Sequence, residues 1–397
     1  MDGIAKIRVM TTVITYTGKI SGLKAASLHA QYYEEYVALA KYLEHLTIVT
    51  DTVEYLPQDI PHNMTIVKLP KIKIPKIYGL TKTLFYCIPP LINKKIDVVY
   101  VRTFSPPELT SLWTAKKIGR KKSVLTLGGT WLFGKPIEKP TLKKRLFRWV
   151  LRRAAYSADV VVIYSKYMLP EIKYFLPNLR EDRIRVIHNP VNIDRFKPGL
   201  SPPPIMSDGL RTIFWVGRIT EDKGVGDLIE AFKIVLENNG DIKLVIGGTT
   251  SSPYVESLKR KCVELNIKDK VIFTGGIPNE KVPNYMANCS IFVYPSRGGE
   301  GIPRALLEAM ACAAPVVATN VSGIPEAVEH MKTGLMVKPQ DIQQLATAIN
   351  TLLNDEKLAK NLGREARKKI EREFSYETVI PQIAEVLKES VKSPEKG

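Results

Sequence analysis

The 397-residue chain is poor in cysteine and histidine, with four of the first and five of the second. Cys87, Cys262, Cys289 and Cys312 are scattered. They form no C-x-x-C pair and stand at no Cys/His spacing suited to zinc, which excludes a disulfide scaffold and a zinc module. They read as reduced core residues. No run approaches the roughly 20 apolar residues of a membrane-spanning helix; the longest, Thr83–Asn93, is interrupted by Pro89-Pro90. The N-terminus lacks the basic start and apolar core of a signal peptide, and strand-like alternation begins near Ile7. A cytoplasmic protein is therefore expected, with peripheral attachment to the cytoplasmic membrane face left open. G-x-G-x-x-G and P-loop sequences are missing. No D-x-D-like pair stands at a strand end in the second half, so neither a metal nor a cofactor is expected.

What is present is an ordinary globular composition, 45% hydrophobic and 25% charged, at a length that suits two or three domains. Net charge is +18, and its distribution is uneven. Residues 1–200 hold 33 Lys and Arg against 15 Asp and Glu, whereas residues 201–397 hold 25 of each. The whole excess lies in one half, an asymmetry that solubility alone does not require.

Short β-branched runs alternate with helix-length segments, the pattern of βαβ units on a parallel sheet. Strands are expected at Ile7–Tyr16, Thr47–Thr50, Val98–Arg102, Ser123–Leu127 and Asp159–Tyr164, with a long helix over Ala25–His45. In the second half they are expected at Thr212–Val216, Lys243–Ile246, Val271–Phe273, Ile291–Tyr294 and Pro315–Ala318, with helices such as Gly226–Asn238 and Gln340–Leu353. Residues 197–209 carry four prolines and two glycines and cannot continue a helix or central strand. The expected organisation is a Rossmann-like domain at 1–196, a linker at 197–209 and a second such domain at 210–376. A C-terminal helix in 377–397 would return to the first domain and end frayed. Two doubly wound α/β domains would then face a central cleft.

Two segments carry chemistry. Gly217-Arg218-Ile-Thr-Glu-Asp-Lys223-Gly224 follows an apolar strand directly. Glycine there lets the backbone approach a ligand, and Arg218 and Lys223 set two cations where the next helix begins, which suits a diphosphate. Alone, it also suits an ordinary βα loop. The second segment runs Pro295-Ser-Arg-Gly-Gly-Glu300-Gly301-Ile302-Pro303 into Arg-Ala-Leu-Leu-Glu308-Ala-Met-Ala-Cys-Ala-Ala-Pro315. Pro303 suits the first turn of a helix. Glu300 falls in the loop and Glu308 in the helix. Carboxylates accept from sugar and ribose hydroxyls, and the amides of Gly301 and Ile302 are expected to be exposed to phosphate oxygens. A helix-capping glutamate and a surface glutamate are the plainer alternatives, though Glu308 stands among Leu306, Leu307, Ala309 and Met310.

Together these segments resemble the retaining glycosyltransferases of the GT-B fold, the group that includes glycogen-synthase-like and mannosyl- or glucosyltransferases. That group shows G-R-x-x-x-x-K-G, then P-S-x-x-E-G with a second glutamate eight positions on, then E-A-M-A-x-G-x-P-V-V and G-G-x-P-E. Here stand Glu308-Ala-Met-Ala-Cys-Ala-Ala-Pro-Val-Val317, Ser322-Gly-Ile-Pro-Glu326 and Thr333-Gly-Leu-Met-Val337. The likeness runs from His188-Asn-Pro-Val-Asn to Leu353; the N-terminal half is similar only in outline. It implies that Arg218 and Lys223 bind the donor diphosphate, with Gly217 in the same turn and Gly301 and Ile302 near by. Glu300 would contact donor-sugar hydroxyls, Glu308 the nucleotide ribose, and the backbone at Gly275 and Ile277 the base. The loop Gly18-Lys-Ile-Ser-Gly22 would close over the diphosphate. Glu300, Arg218 and Lys223 are the residues implied to carry catalysis. Gly128 stands where many relatives have a histidine after the strand, and Ala314 stands where they usually have glycine.

Thr141-Leu-Lys-Lys-Arg-Leu-Phe-Arg-Trp-Val-Leu-Arg-Arg-Ala-Ala155 reads as a basic amphipathic helix, with Leu142, Leu146, Trp149, Val150 and Arg153 near one face. Lys143, Lys144, Arg145, Arg148, Trp149 and Arg152 are candidates for an acceptor or membrane surface. Val67–Tyr78 adds four lysines among aliphatics and prolines. The expected reaction moves a hexose from a GDP- or UDP-type sugar to a hydroxyl of a phosphate-bearing or membrane-associated glycan or lipid, with retention. The alternatives are a basic nucleic-acid-binding protein, though no recognised module for that is present, and a sugar epimerase or phosphorylase of the same fold.

Overall fold

The computed structural model describes residues 5–13, 26–50, 60–68, 96–102, 106–129, 141–249 and 251–392. The chain forms two parallel sheets. The first holds β1 (Ala5–Val13), β2 (Leu43–Thr50), β3 (Met64–Lys68), β4 (Val98–Val101), β5 (Lys122–Leu127), β6 (Val160–Ile163) and β7 (Ile184–Val186). Their order is β3-β2-β1-β4-β5-β6-β7. The second holds β8 (Arg211–Val216), β9 (Ile242–Gly247), β10 (Val271–Gly275), β11 (Ile291–Tyr294), β12 (Val316–Thr319) and β13 (Leu335–Val337), in the order β10-β9-β8-β11-β12-β13. Every pairing is parallel. Helices cover the faces, so central strands such as Val-Val-Tyr-Val of β4 and Ile-Phe-Val-Tyr of β11 are buried along their whole length. Continuous apolar runs are what such strands require.

The chain divides into two units. Among the described residues, one holds β1, Leu28–His188 and the C-terminal residues from Val379; the other holds Ala26–Ser27 and Asn189–Thr378. The changeover falls at His188–Asn189, ahead of the proline-rich stretch 197–209 expected to be a linker. That stretch packs within the second unit. Met206 and the preceding Phe196 are buried, and the Lys243 ammonium takes the Ile205 carbonyl at 2.5 Å and pairs with Asp208. Its prolines stiffen a packed connection. The second unit's two ends are hydrogen-bonded to each other. The Val191 amide donates to the Phe374 carbonyl at 2.8 Å, and the Tyr376 amide donates to the Val191 carbonyl at 3.0 Å.

Four sequence expectations are corrected. The first helix is Ala26–Ala40, not Ala25–His45, because Leu43–Thr50 joins the sheet with Leu43, Leu46, Ile48 and Val49 buried. Strands β3, β7 and β13 were not foreseen; they are three to five residues long and lie at or beside sheet edges, where periodicity is weakest. The left-handed residue ending the helix Arg304–Ala311 is Ala313, at φ 57°, so the family's glycine position is Ala313 rather than Ala314. Finally, Gly301 and Ile302 are buried rather than exposed. Cys262, Cys289 and Cys312 are free and buried, and burial pushes the Cys289 thiol up to about 12. Cys87, Gly18 and Gly22 lie outside the described residues, as does most of Val67–Tyr78.

Candidate active site

In the second sheet the strand order reverses between β8 and β11. The helices that follow these two strands pack into separate cores, Val225–Asn238 into one and Arg304–Ala311 into the other, and a crevice at such a point is where open α/β sheets bind ligands. Backbone contacts between adjacent strands persist just past their ends. The Gly217 amide donates to the Gly247 carbonyl at 3.0 Å, and the Gly248 amide to the Gly275 carbonyl at 2.8 Å. A Cβ on Gly248 would lie 2.3 Å from the Gly217 oxygen, so only glycine allows this crossing.

Gly224 sets the site. It ends the loop after β8 at φ 70° and caps the helix Val225–Asn238. A Cβ there would lie 1.9 Å from the Pro295 carbonyl oxygen. This close approach presses the β8 loop against the β11 loop, and Lys223 thereby meets Glu300. Lys223 is buried, with its ammonium paired to Glu300 Oε1 and 3.4 Å from Asp222 Oδ2. The Tyr294 hydroxyl donates to Glu300 Oε2 at 2.8 Å. Both Glu300 oxygens are thus held, one by an ammonium and one by a phenol. Burial lowers the Lys223 pKa below the ordinary lysine value; the nearby Arg218 charge adds to that and Asp222 opposes it. Burial likewise raises the Tyr294 phenol far above its ordinary value, with Asp222 reinforcing and Arg218 opposing. Arg218, exposed in the same loop, acts on both groups.

A second ion pair, not anticipated from sequence, locks these loops. Arg297 holds Asp227 through both ends of its guanidinium, Nη2–Oδ1 at 2.6 Å and Nε–Oδ2 at 3.0 Å. Its amide donates to the Asp222 carbonyl at 2.8 Å. Asp227 lies in the first turn of Val225–Asn238 and is buried. Such forked pairing fixes direction as well as distance. The two residues stand 70 positions apart, and no spacing rule links them. Arg297 lies inside the recognised P-S-R-G-G-E stretch, the one signal that could have drawn attention to it.

Glu308 is buried in the second turn of Arg304–Ala311. The residues before that helix are pinned through their carbonyls. Ile302 accepts from the Asn189 amide at 3.1 Å, and Gly301 from the Gly323 backbone at 3.1 Å. Gly275 ends β10 at φ 74°, and the Ile277 side chain packs against Gly247. Ser322 is a further residue that sequence reasoning passed over. It is buried, sits at φ 52°, and its hydroxyl finds no hydrogen-bond partner among the described residues. That hydroxyl lies beside Gly298, 3.6 Å from where a Cβ would stand. Strain and an unsatisfied polar atom together mark functional positions more often than scaffolding ones.

The structure therefore brings Arg218, Lys223 and Glu300 together, with Gly217 at the base of their loop. It places Gly275 at the end of β10, two strands from β8, with Ile277 just beyond it, and Glu308, Gly301 and Ile302 at and after the end of the β11 loop. The cationic residues of Leu142–Ser157 belong to the other unit.

Residues 204–369 match the family Glycosyl transferases group 1, and residues 36–195 match Glycosyltransferase Family 4. Residues 204–369 thus carry a group 1 glycosyltransferase domain, and the match to the second family lies in the half before it. Over 254 residues it is 29% identical to the GDP-mannose-dependent alpha-(1-6)-phosphatidylinositol monomannoside mannosyltransferase of Mycobacterium tuberculosis. That match covers 61% of this chain and 64% of the relative, so it spans less than two thirds of the relative's length. A glycosyltransferase from Rickettsia africae superposes with a TM-score of 0.75 at 20% identity, covering 98% of this chain and 100% of that one. Anabaena HepE, solved with UDP and glucose, superposes at 0.73 and 20% identity, covering 96% and 99%. At that identity the likeness defines the fold, which is GT-B with two Rossmann-like domains.

Proposed function

We propose that the chain is a retaining hexosyltransferase that moves a sugar from a nucleotide-sugar to an acceptor hydroxyl. The observation that carries this reading is the buried Lys223–Glu300 pair beside Arg218 at the strand-order reversal. Such a pair can be exchanged: an incoming diphosphate takes the Lys223 ammonium and Arg218, and frees Glu300 to accept from donor-sugar hydroxyls. Charge that develops on the leaving diphosphate is met by fixed cations and by the amino end of Val225–Asn238. Glu308 accepts from the ribose, and the backbone at Gly275 and Ile277 holds the base. Gly301 and Ile302 support this site through their pinned backbone. The leaving phosphate helps take the acceptor proton, and attack from its own face keeps the anomeric configuration.

The second unit thus binds the donor and the first the acceptor, a phosphate-bearing or membrane-associated glycan or lipid. The charge excess of residues 1–200 supports an anionic acceptor. No helix among the described residues is long and apolar enough to cross a membrane, and attachment at the cytoplasmic face is part of this proposal.

The test is a thermal-shift panel of GDP, UDP, ADP and their sugar conjugates without added metal. Stabilisation by one nucleotide, lost in Lys223→Ala, is the expected result. No shift with any of them overturns the reading.

A further inference from the structure

The helix Leu142–Ser157 has two apolar faces. One is its core face: Leu151, Ala154 and Ala155 are fully buried, with Phe147 and Val150 packed beside them. The other points to solvent. Leu142, Leu146 and Trp149 are 81%, 62% and 56% exposed. At 3.6 residues per turn they fall, with Arg153, within an arc of about 60°. That arc lies away from the core face, so the stripe that sequence periodicity grouped with Val150 separates from it in the structure. The Arg153 guanidinium lies 5.4 Å from the centroid of the Trp149 ring. Arg145, Arg152 and Arg153 are exposed, and the helix carries six cations and no carboxylate. The helix Pro106–Lys117 packs against it and brings exposed Trp113, with Ile118 and Arg120 exposed just beyond its end.

We propose that the outward face of Leu142–Ser157 docks on an anionic phospholipid bilayer, with Leu142, Leu146 and Trp149 entering the headgroup–acyl boundary and the arginines meeting lipid phosphates. Charge complementarity selects this occupant. An apolar stripe alone would suit any partner, but here it lies on a helix with six cations and no carboxylate, within residues 1–200, the half of the sequence that holds the entire positive excess. Tryptophan and arginine are the side chains that settle at a membrane interface. A nucleic acid would engage the cations but gives no place for two exposed leucines. The proposal rests on the acceptor reading above only for its purpose, because the face and its chemistry stand without the donor site.

The test is sedimentation of the full chain with vesicles of phosphatidylcholine alone and with about one third phosphatidylglycerol, at low and high salt. Binding to the anionic vesicles only, weakened by salt, is expected. Leu146→Ser/Trp149→Ser is expected to lower the partition coefficient about tenfold, and Arg145→Glu/Arg152→Glu to abolish it. All four side chains are exposed or half exposed, and an unchanged melting temperature and nucleotide shift show that each variant is folded with its donor site intact. Failure of wild-type binding, or equal binding by the serine variant, overturns the proposal. So does equal retention on DNA that is insensitive to the serine changes, or a dimer in solution that the serine changes dissociate. A lost nucleotide shift with intact vesicle binding would instead strike the donor reading.

Discussion

At the scale of single residues, the site turns on a lysine that is held in a poor place for a charge. Lys223 is buried, and its pKa lies below the ordinary 10.5. An ammonium with a lowered pKa gives up its proton earlier as pH rises, so affinity for a nucleoside diphosphate should fall on the alkaline side before pH 10.5. A titration of nucleotide affinity against pH checks this, and Lys223→Arg should carry binding to higher pH. On the proposed reading, Glu300→Ala should lower transfer by a factor of about 10²–10³, because it removes the carboxylate that Lys223 and the Tyr294 hydroxyl hold. Circular dichroism should show the fold unchanged, since Glu300 lies in a loop.

At the scale of elements, glycines and a left-handed alanine decide how loops and helices meet. Gly224→Ala forces a Cβ into the Pro295 carbonyl and asks an L-residue to hold φ 70°. A loss of about 3 kcal/mol is expected, and nucleotide binding should be lost with it because Lys223 and Glu300 no longer meet; denaturant titration and calorimetry measure the two effects. Ala313→Gly should act in the opposite sense. It relieves a left-handed alanine at a helix end and should stabilise by about 1 kcal/mol, read as a higher denaturation midpoint. Gly363 passes 2.2 Å, by its absent Cβ, from the Ala313 carbonyl, so that substitution leaves the helix contact untouched. These elements also show what was legible in the chain. Buried central strands announce themselves through runs such as Ile291–Tyr294, and the loops after β8 and β11 through glycine, cation and carboxylate at fixed spacing. The Ala40–Leu43 turn carries no glycine or proline, so nothing in the sequence marks where the helix gives way to the strand. The Arg297–Asp227 clamp joins distant segments, and the Ser322 strain is a backbone property; neither leaves a local pattern.

At the scale of the whole molecule, the chain forms two units with separate cores, and the proposed reading divides donor and membrane chemistry between them. Hydrogen exchange should reflect that division. A stabilising nucleotide is expected to protect amides of 217–224 and 295–302 and leave Leu142–Ser157 unchanged, whereas anionic vesicles should do the reverse. Protection of both regions by the nucleotide alone would contradict the division. The hydrogen bonds that tie Val191 to Phe374 and Tyr376 have a consequence for how such a chain can be rebuilt. Asn189–Thr378 is one uninterrupted stretch that enters and leaves at a shared doorway. A segment with adjoining ends can be replaced by another of its kind without stretching the chain on either side. On the proposed division of roles, recombination would therefore exchange the nucleotide preference of such a protein in one event and leave its acceptor unchanged.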